Sequence, residues 1–194
     1  MRSIGLVVLF LGLGMIVGMA SEPLQAVDTV DITQYVGRWY AIASIPTSFE
    51  RQCVQGTTAE YTLLENGQVE VLNTCYDADG NRDVAIGRAW IPDVESSSKL
   101  RVSFVQFLGI WWFSAPYWVI DLAPDYSYAV VGHPSRKYGW ILSRTPMLSS
   151  PVMDSIVKRI EALGYDFDDF RKTDQSMHIQ PSRPYWEDRD CGCP

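Results

Sequence analysis

Along most of the chain, hydrophobic and polar residues alternate in short runs, the period-2 pattern of strands with one face buried. The pattern predicts eight strands: Arg38–Ile45, Val54–Leu64, Gln68–Tyr76, Arg82–Ile91, Lys99–Phe107, Tyr117–Leu122, Tyr126–Gly132 and Lys137–Arg144. Ala59, Tyr61 and Leu63, alternating with Glu60 and Thr62, show it most plainly. Turn signals separate the runs. Asn66-Gly67 suits a two-residue hairpin turn, because both residues accept positive φ. Asp77-Ala78-Asp79-Gly80, Pro92 with Ser96-Ser97-Ser98, Pro124-Asp125 and His133-Pro134-Ser135 mark further breaks. Short strands joined in sequence order read as an all-β fold, an eight-stranded antiparallel up-and-down β-barrel.

Two stretches depart from the alternation. Met153, Ile156, Val157, Ile160 and Leu163 form one apolar stripe at helical spacing, which predicts a single C-terminal α-helix over Ser150–Leu163 packed outside the barrel. Ser149 or Ser150 can cap it, Pro151 suits its first turn and Gly164 ends it. Leu108-Gly109-Ile110-Trp111-Trp112-Phe113 is apolar throughout and poorly placed to be another strand. It falls between the fifth and sixth strands, at the open mouth of such a meander. Three readings stand: a lip that enters a membrane, a homodimer contact, or a loop folded over the cavity.

The first twenty residues carry a different signal. After Arg2 the run from Ile4 to Met19 is apolar and Gly-rich, and Gly18-Met19-Ala20 offers a small-x-small cleavage site. Residues 1–20 are therefore predicted to be a signal peptide, with a second cleavage site after Ala26. The segment contains no Cys for lipid attachment, so the expectation is an exported protein, periplasmic or secreted, with or without association with the outer membrane. The body of the domain spans 30–175, and the Pro-containing residues 176–194 form a C-terminal tail.

Export makes disulfides feasible, and four Cys are present: Cys53, Cys75, Cys191 and Cys193. Four Cys allow three pairings. Cys53 and Cys75 flank the hairpin at Asn66-Gly67 and would lie on neighbouring strands, which favours that bridge. No His stands at ligand spacing near Cys191 and Cys193, so no metal is expected. The net charge of −7 opposes nucleic acid and basic docking on anionic lipid. With 7 Trp, 10 Tyr and 7 Phe, the composition suits strands around a broad apolar interior.

Three clusters now fall into place on this strand order. Tyr35-Val36-Gly37-Arg38-Trp39-Tyr40 opens the first strand, Ala123-Pro124-Asp125-Tyr126 joins the sixth and seventh, and Arg144 ends the eighth. The set resembles the lipocalin family, whose signature is Gly-x-Trp, a Thr-Asp-Tyr turn and a last-strand Arg. Gly37, Trp39, Asp125, Tyr126 and Arg144 match, and Pro124 departs at the Thr position. Gly37-Arg38-Trp39-Tyr40-Ala41-Ile42-Ala43, Phe49-Glu50-Arg51, Thr58-Ala59-Glu60-Tyr61 and Tyr138–Pro146 narrow the likeness to the branch of bacterial lipocalin (Blc) and apolipoprotein D. The resemblance implies a carrier of a small hydrophobic ligand with no cofactor. It also implies that Trp39 and Arg144 close the base by burial and a cation–π contact.

Strand parity, counted from Trp39 and Arg144 as inward residues, nominates the ligand site. Its members are Trp140, Tyr61, Ala43, Ala89, Phe104, Tyr117 and Leu142, with Tyr61 and Tyr117 as polar handles. The expected ligand is a fatty acid or lysophospholipid, in a role serving cell-envelope lipid maintenance. The alternative is a lipocalin-fold enzyme acting on a lipid. A hydrolase would have to use His133 or His178 without any Gly-x-Ser-x-Gly elbow, and an isomerase would need a reactive Cys inside the barrel. Neither pattern is met, so no catalytic residue is assigned.

Overall fold

The computed structural model describes residues 22–93 and 96–179. The predicted signal peptide, most of the tail, Cys191 and Cys193 lie outside the described residues. A one-turn helix, α1 (Ile32–Tyr35), precedes β1 (Gly37–Ser44), and Asp31 caps it by accepting from the Thr33 amide at 2.9 Å. Then come β2 (Gln55–Leu63), β3 (Val69–Tyr76), β4 (Arg82–Trp90) and β5 (Lys99–Ser103). A separate hairpin, β6 (Val105–Phe107) and β7 (Ile110–Trp112), leads to β8 (Ala115–Leu122), β9 (Tyr128–Gly132) and β10 (Gly139–Ser143). Helix α2 (Ser150–Ala162) and the short β11 (Arg171–Lys172) follow.

Strands β1 to β5 and β8 to β10 pair antiparallel in sequence order, and β10 pairs back onto β1. That closure leaves no free edge along the seam and confirms the eight-stranded barrel with one long helix outside it. Trp39, Ala59, Tyr61, Val71, Val119, Val131 and Leu142 fill the inside. A second cluster, with Ile156 and Ile160 of α2 at its centre, packs on the outer face of β1, β8, β9 and β10. The predicted Cys53–Cys75 bridge is present and ties the β1–β2 loop to β3.

Two expectations are corrected. The fifth strand does not run on to Phe107: it stops at Ser103, and Ile110–Trp112 is itself a strand, paired with Val105–Phe107. The apolar run offered no polar residue to signal that alternation. Parity also fails beyond Ala41. The β1–β10 ladder shifts register between Ala41 and Ala43, so Ile42 and Ala43 both join the outer cluster and Ser44 comes opposite Trp140. A bulge of this kind places two successive residues on one face. Ala43 therefore packs toward α2, away from the interior. The β8–β9 ladder shifts in the same way between Val119 and Asp121, where Ile120 turns outward to α2 and Asp121 meets Arg159 at 2.7 Å. Both bulges lie against the helix.

Candidate functional site

The base of the barrel is sealed from the sequence upward. Trp39 is fully buried, and its indole N–H donates to the Tyr35 carbonyl at 2.8 Å. Arg144 spreads its guanidinium over the indole, 3.7 Å from the ring centroid, and donates to the carbonyls of Arg38, Gln34 and Tyr35. Gly37 sits at φ +91°, a backbone that L side chains rarely adopt, and its Cα faces the same guanidinium. Tyr126 accepts from the Asp31 amide at 2.9 Å, which pins the β8–β9 turn to the cap of α1. Asp125 accepts from the Ser127 amide at 3.1 Å, and hydrogen bonding from the Ser127 side chain and then its backbone holds the carboxyl below the usual range.

Above this seal stand three tyrosines. The Tyr117 hydroxyl lies 2.9 Å from the hydroxyls of both Tyr35 and Tyr61. Burial pushes the Tyr61 phenol up to about 12 and raises those of Tyr35 and Tyr117 well above their ordinary value. Two hydrogen bonds use two of the three hydroxyl protons, so one O–H of the trio keeps a free donor among the described residues. The trio borders a space of about 20 Å³, lined also by Ile32, Val36, Ala89 and Val102. That is room for one water. With the adjoining region, which continues into solvent, it comes to about 320 Å³.

Trp140 faces Ser44 across the seam and stacks in parallel with Tyr138, which stacks in turn with the exposed Phe49. This aromatic ladder runs from the rim down to Trp140. Leu142 and Ala89 are buried on the inner wall, and Tyr117 and Trp140 pack against the same cluster. Phe104 lies at the rim, 42% exposed, with its ring 2.7 Å from where a Cβ of Gly87 would be. The structure thus brings together Tyr61, Tyr117, Ala89, Leu142 and Trp140, places Phe104 at the edge, and removes Ala43. Sequence reasoning missed Tyr35 as third member of the trio, having read it only as part of the signature, and missed the Phe49–Tyr138 ladder. The spacing of Tyr138 and Trp140 on one face was the available signal.

The Cys and His residues weighed above for catalysis each have a partner among the described residues. Cys75 is bonded to Cys53. His133 Nδ1 meets the Ser135 hydroxyl at 2.8 Å within its turn, and His178 Nε2 meets the Gly56 carbonyl at 3.2 Å.

Comparison with known proteins agrees with this geometry. The family described as "Lipocalin-like domain" matches residues 30–175. Temperature-induced lipocalin-1 of Arabidopsis thaliana is 38% identical over 158 residues, covering 80% of this chain and 84% of the relative. Outer membrane lipoprotein Blc of Vibrio cholerae is 33% identical over 168 residues, covering 86% of this chain and 94% of the relative. Among solved structures, insecticyanin of Manduca sexta superposes with a TM-score of 0.63 at 24% identity, over 82% of this chain and 88% of that one.

Proposed function

Because this chain belongs to the lipocalin family, whose members bind small hydrophobic ligands, we propose that its barrel holds and shields one long-chain fatty acid or lysophospholipid outside the cytoplasm, in the service of envelope lipids. The observation that carries the reading is a closed barrel with an apolar inner wall, sealed at one end by Trp39 and Arg144. Burying a hydrocarbon chain on that wall stabilises the complex by roughly 25 cal/mol per Å². The tyrosine trio and Trp140 supply the few orienting groups such a site needs. No catalytic step is assigned, since the interior presents no free thiol and no histidine among the described residues. In a titration of delipidated protein with lysophosphatidylcholine or a long-chain fatty acid, tryptophan fluorescence should change saturably at micromolar ligand. Trp140→Phe should weaken that binding. An unchanged spectrum overturns the proposal.

The hairpin β6–β7 extends the reading to the source of the ligand. Val105, Phe107, Ile110 and Trp112 share one face and are all exposed, and Leu108 at the tip and Phe113 just after β7 are 84% and 87% exposed. The opposite face carries Trp111, which lies over Arg88 at 5.5 Å. No charged residue occurs between Arg101 and Asp121. An uncharged, Trp-bearing protrusion fits the interfacial layer of a lipid surface. No helix among the described residues is long and apolar enough to cross a membrane. Co-sedimentation with phosphatidylcholine vesicles should fall in the doubly substituted Leu108→Ser, Phe113→Ser protein. A dimer that the same substitutions dissociate, with vesicle binding absent from the start, would assign the face to a second copy instead.

A further inference from the structure

The barrel wall is not continuous. The β3–β4 ladder runs through eight pairs, from Val69 and Ala89 to Tyr76 and Arg82. On its other side β4 pairs with β5 only at Arg88, Ala89 and Trp90. Strand β5 ends at Ser103 and β8 begins at Ala115, and the chain between them has left the wall to form the hairpin. The stretch of β4 from Arg82 to Gly87 therefore has a ladder partner on one side only. Six residues at about 3.3 Å each leave a notch about 20 Å tall.

Side-chain exposure shows that the notch is open. Gly87 and Ala89 are buried on the inner face of β4, but Ala85, next in the same phase, is exposed, as is Ala115 across the gap. Phe104 fills the lower corner, its ring close against Gly87, where any side chain would force it away. The hairpin beside the gap is held in place at both legs. The Ser103 hydroxyl bonds the Trp112 carbonyl and accepts from the Val105 amide, while Arg101 donates to the Ser114 hydroxyl at 2.8 Å and to the Ser114 carbonyl at 2.5 Å. The apolar hairpin face and the gap in the wall are thus fixed side by side.

We propose that this notch is a side entrance, through which the hydrocarbon chain of a lipid passes directly between a lipid surface and the barrel interior. The inference rests on the lipid-carrier reading above. It explains why the ladder is interrupted where the apolar hairpin begins: a chain leaving a bilayer meets the hairpin's apolar face and then Phe104, Ala85 and Ala115 on its way inside. Gaining entry by the mouth alone would expose it on the way.

The test separates a gate from a binding surface. Ala85→Trp should fill the notch, and Ile86→Trp, on the opposite face of the same strand, is the control. Stopped-flow uptake and release of a fluorescent long-chain fatty acid, and its transfer from phosphatidylcholine vesicles, give the rates. Ala85→Trp is expected to slow both uptake and release by about tenfold, the effect of about 1.4 kcal/mol added to a barrier, with Kd unchanged. Ile86→Trp should match the wild type, and thermal melts of both verify folding. Unchanged rates in Ala85→Trp overturn the side entrance in favour of the mouth. A changed Kd with unchanged uptake makes the notch a mere contact surface, and a dimer paired through the free β4 edge assigns it to another chain. If the wild type does not bind the probe at all, the carrier reading itself fails.

Discussion

The guanidinium carbon of Arg144 lies 3.7 Å from the centroid of the Trp39 indole, while the same side chain donates to three carbonyls of the chain entering β1. Arg144→Met removes all of these together and leaves the carbonyls of a largely buried base unpaired. Charge-assisted bonds of this kind contribute about 1.5–3 kcal/mol. Urea denaturation should show a loss of about that size, with Arg144→Lys recovering only part, because a point charge cannot fork across three acceptors. A loss no larger than a surface substitution gives would contradict the role.

Within the tyrosine trio the central hydroxyl should matter most. Tyr117→Phe strands two buried hydroxyls, those of Tyr35 and Tyr61, whereas Tyr61→Phe deletes one bond at the end of the chain. An unsatisfied buried donor or acceptor costs about 1–3 kcal/mol, and replacing all partners together can be nearly neutral. The expected order of destabilisation in denaturant titrations is Tyr117→Phe above Tyr61→Phe, with the triple Phe variant costing less than the sum of the singles.

The same phenols set the response to alkali. Below pH 10 they are protonated in both folded and unfolded chains, so they impose no pH dependence there. Between pH 10 and about 12 the unfolded chain loses these protons while the native chain retains that of Tyr61 and, more firmly still, those of Tyr35 and Tyr117. The unfolded state then binds fewer protons, and stability falls as pH rises, by about 1.4 kcal/mol per pH unit for each such tyrosine. Tyrosinate absorbance should show three groups that ionise only with unfolding.

Removing the Cys53–Cys75 bridge frees a loop of 22 residues in the unfolded chain. Loop-closure entropy puts the loss at about 3 kcal/mol. Differential scanning calorimetry of the Cys53→Ala, Cys75→Ala protein should show a lower Tm but an intact barrel, because the ladders of β2, β3 and β4 do not depend on the bridge.

Much of the fold was legible because the interior and exterior of a barrel impose period 2 on every strand. The alternation of Ala59, Tyr61 and Leu63 and the Asn66-Gly67 turn carry that information locally. What failed to show were the positions where period 2 is broken by a distant element. Nothing in Ala41-Ile42-Ala43 announces a bulge, since all three residues are apolar; the bulge is set by α2 packing against the outer face. Likewise Phe107–Phe113 offers no polar residue to phase β7, and the apolar residues Phe104, Val105 and Phe107 read as a continuation of β5, so its end at Ser103 was hidden. Of the nominated residues, Trp140, Leu142, Tyr61, Tyr117 and Ala89 do face the interior as parity predicts, and Ala43 faces outward for the reason just given. Tyr35 was obscured by its place in the signature.

The most direct test of the carrier account is a chain-length series of saturated fatty acids, titrated calorimetrically into delipidated protein. The account predicts one saturable site, a negative heat-capacity change and affinity that rises with each added methylene by up to about 0.8 kcal/mol until the barrel is filled. Saturable binding that ignores chain length, or no binding at any length, would contradict it.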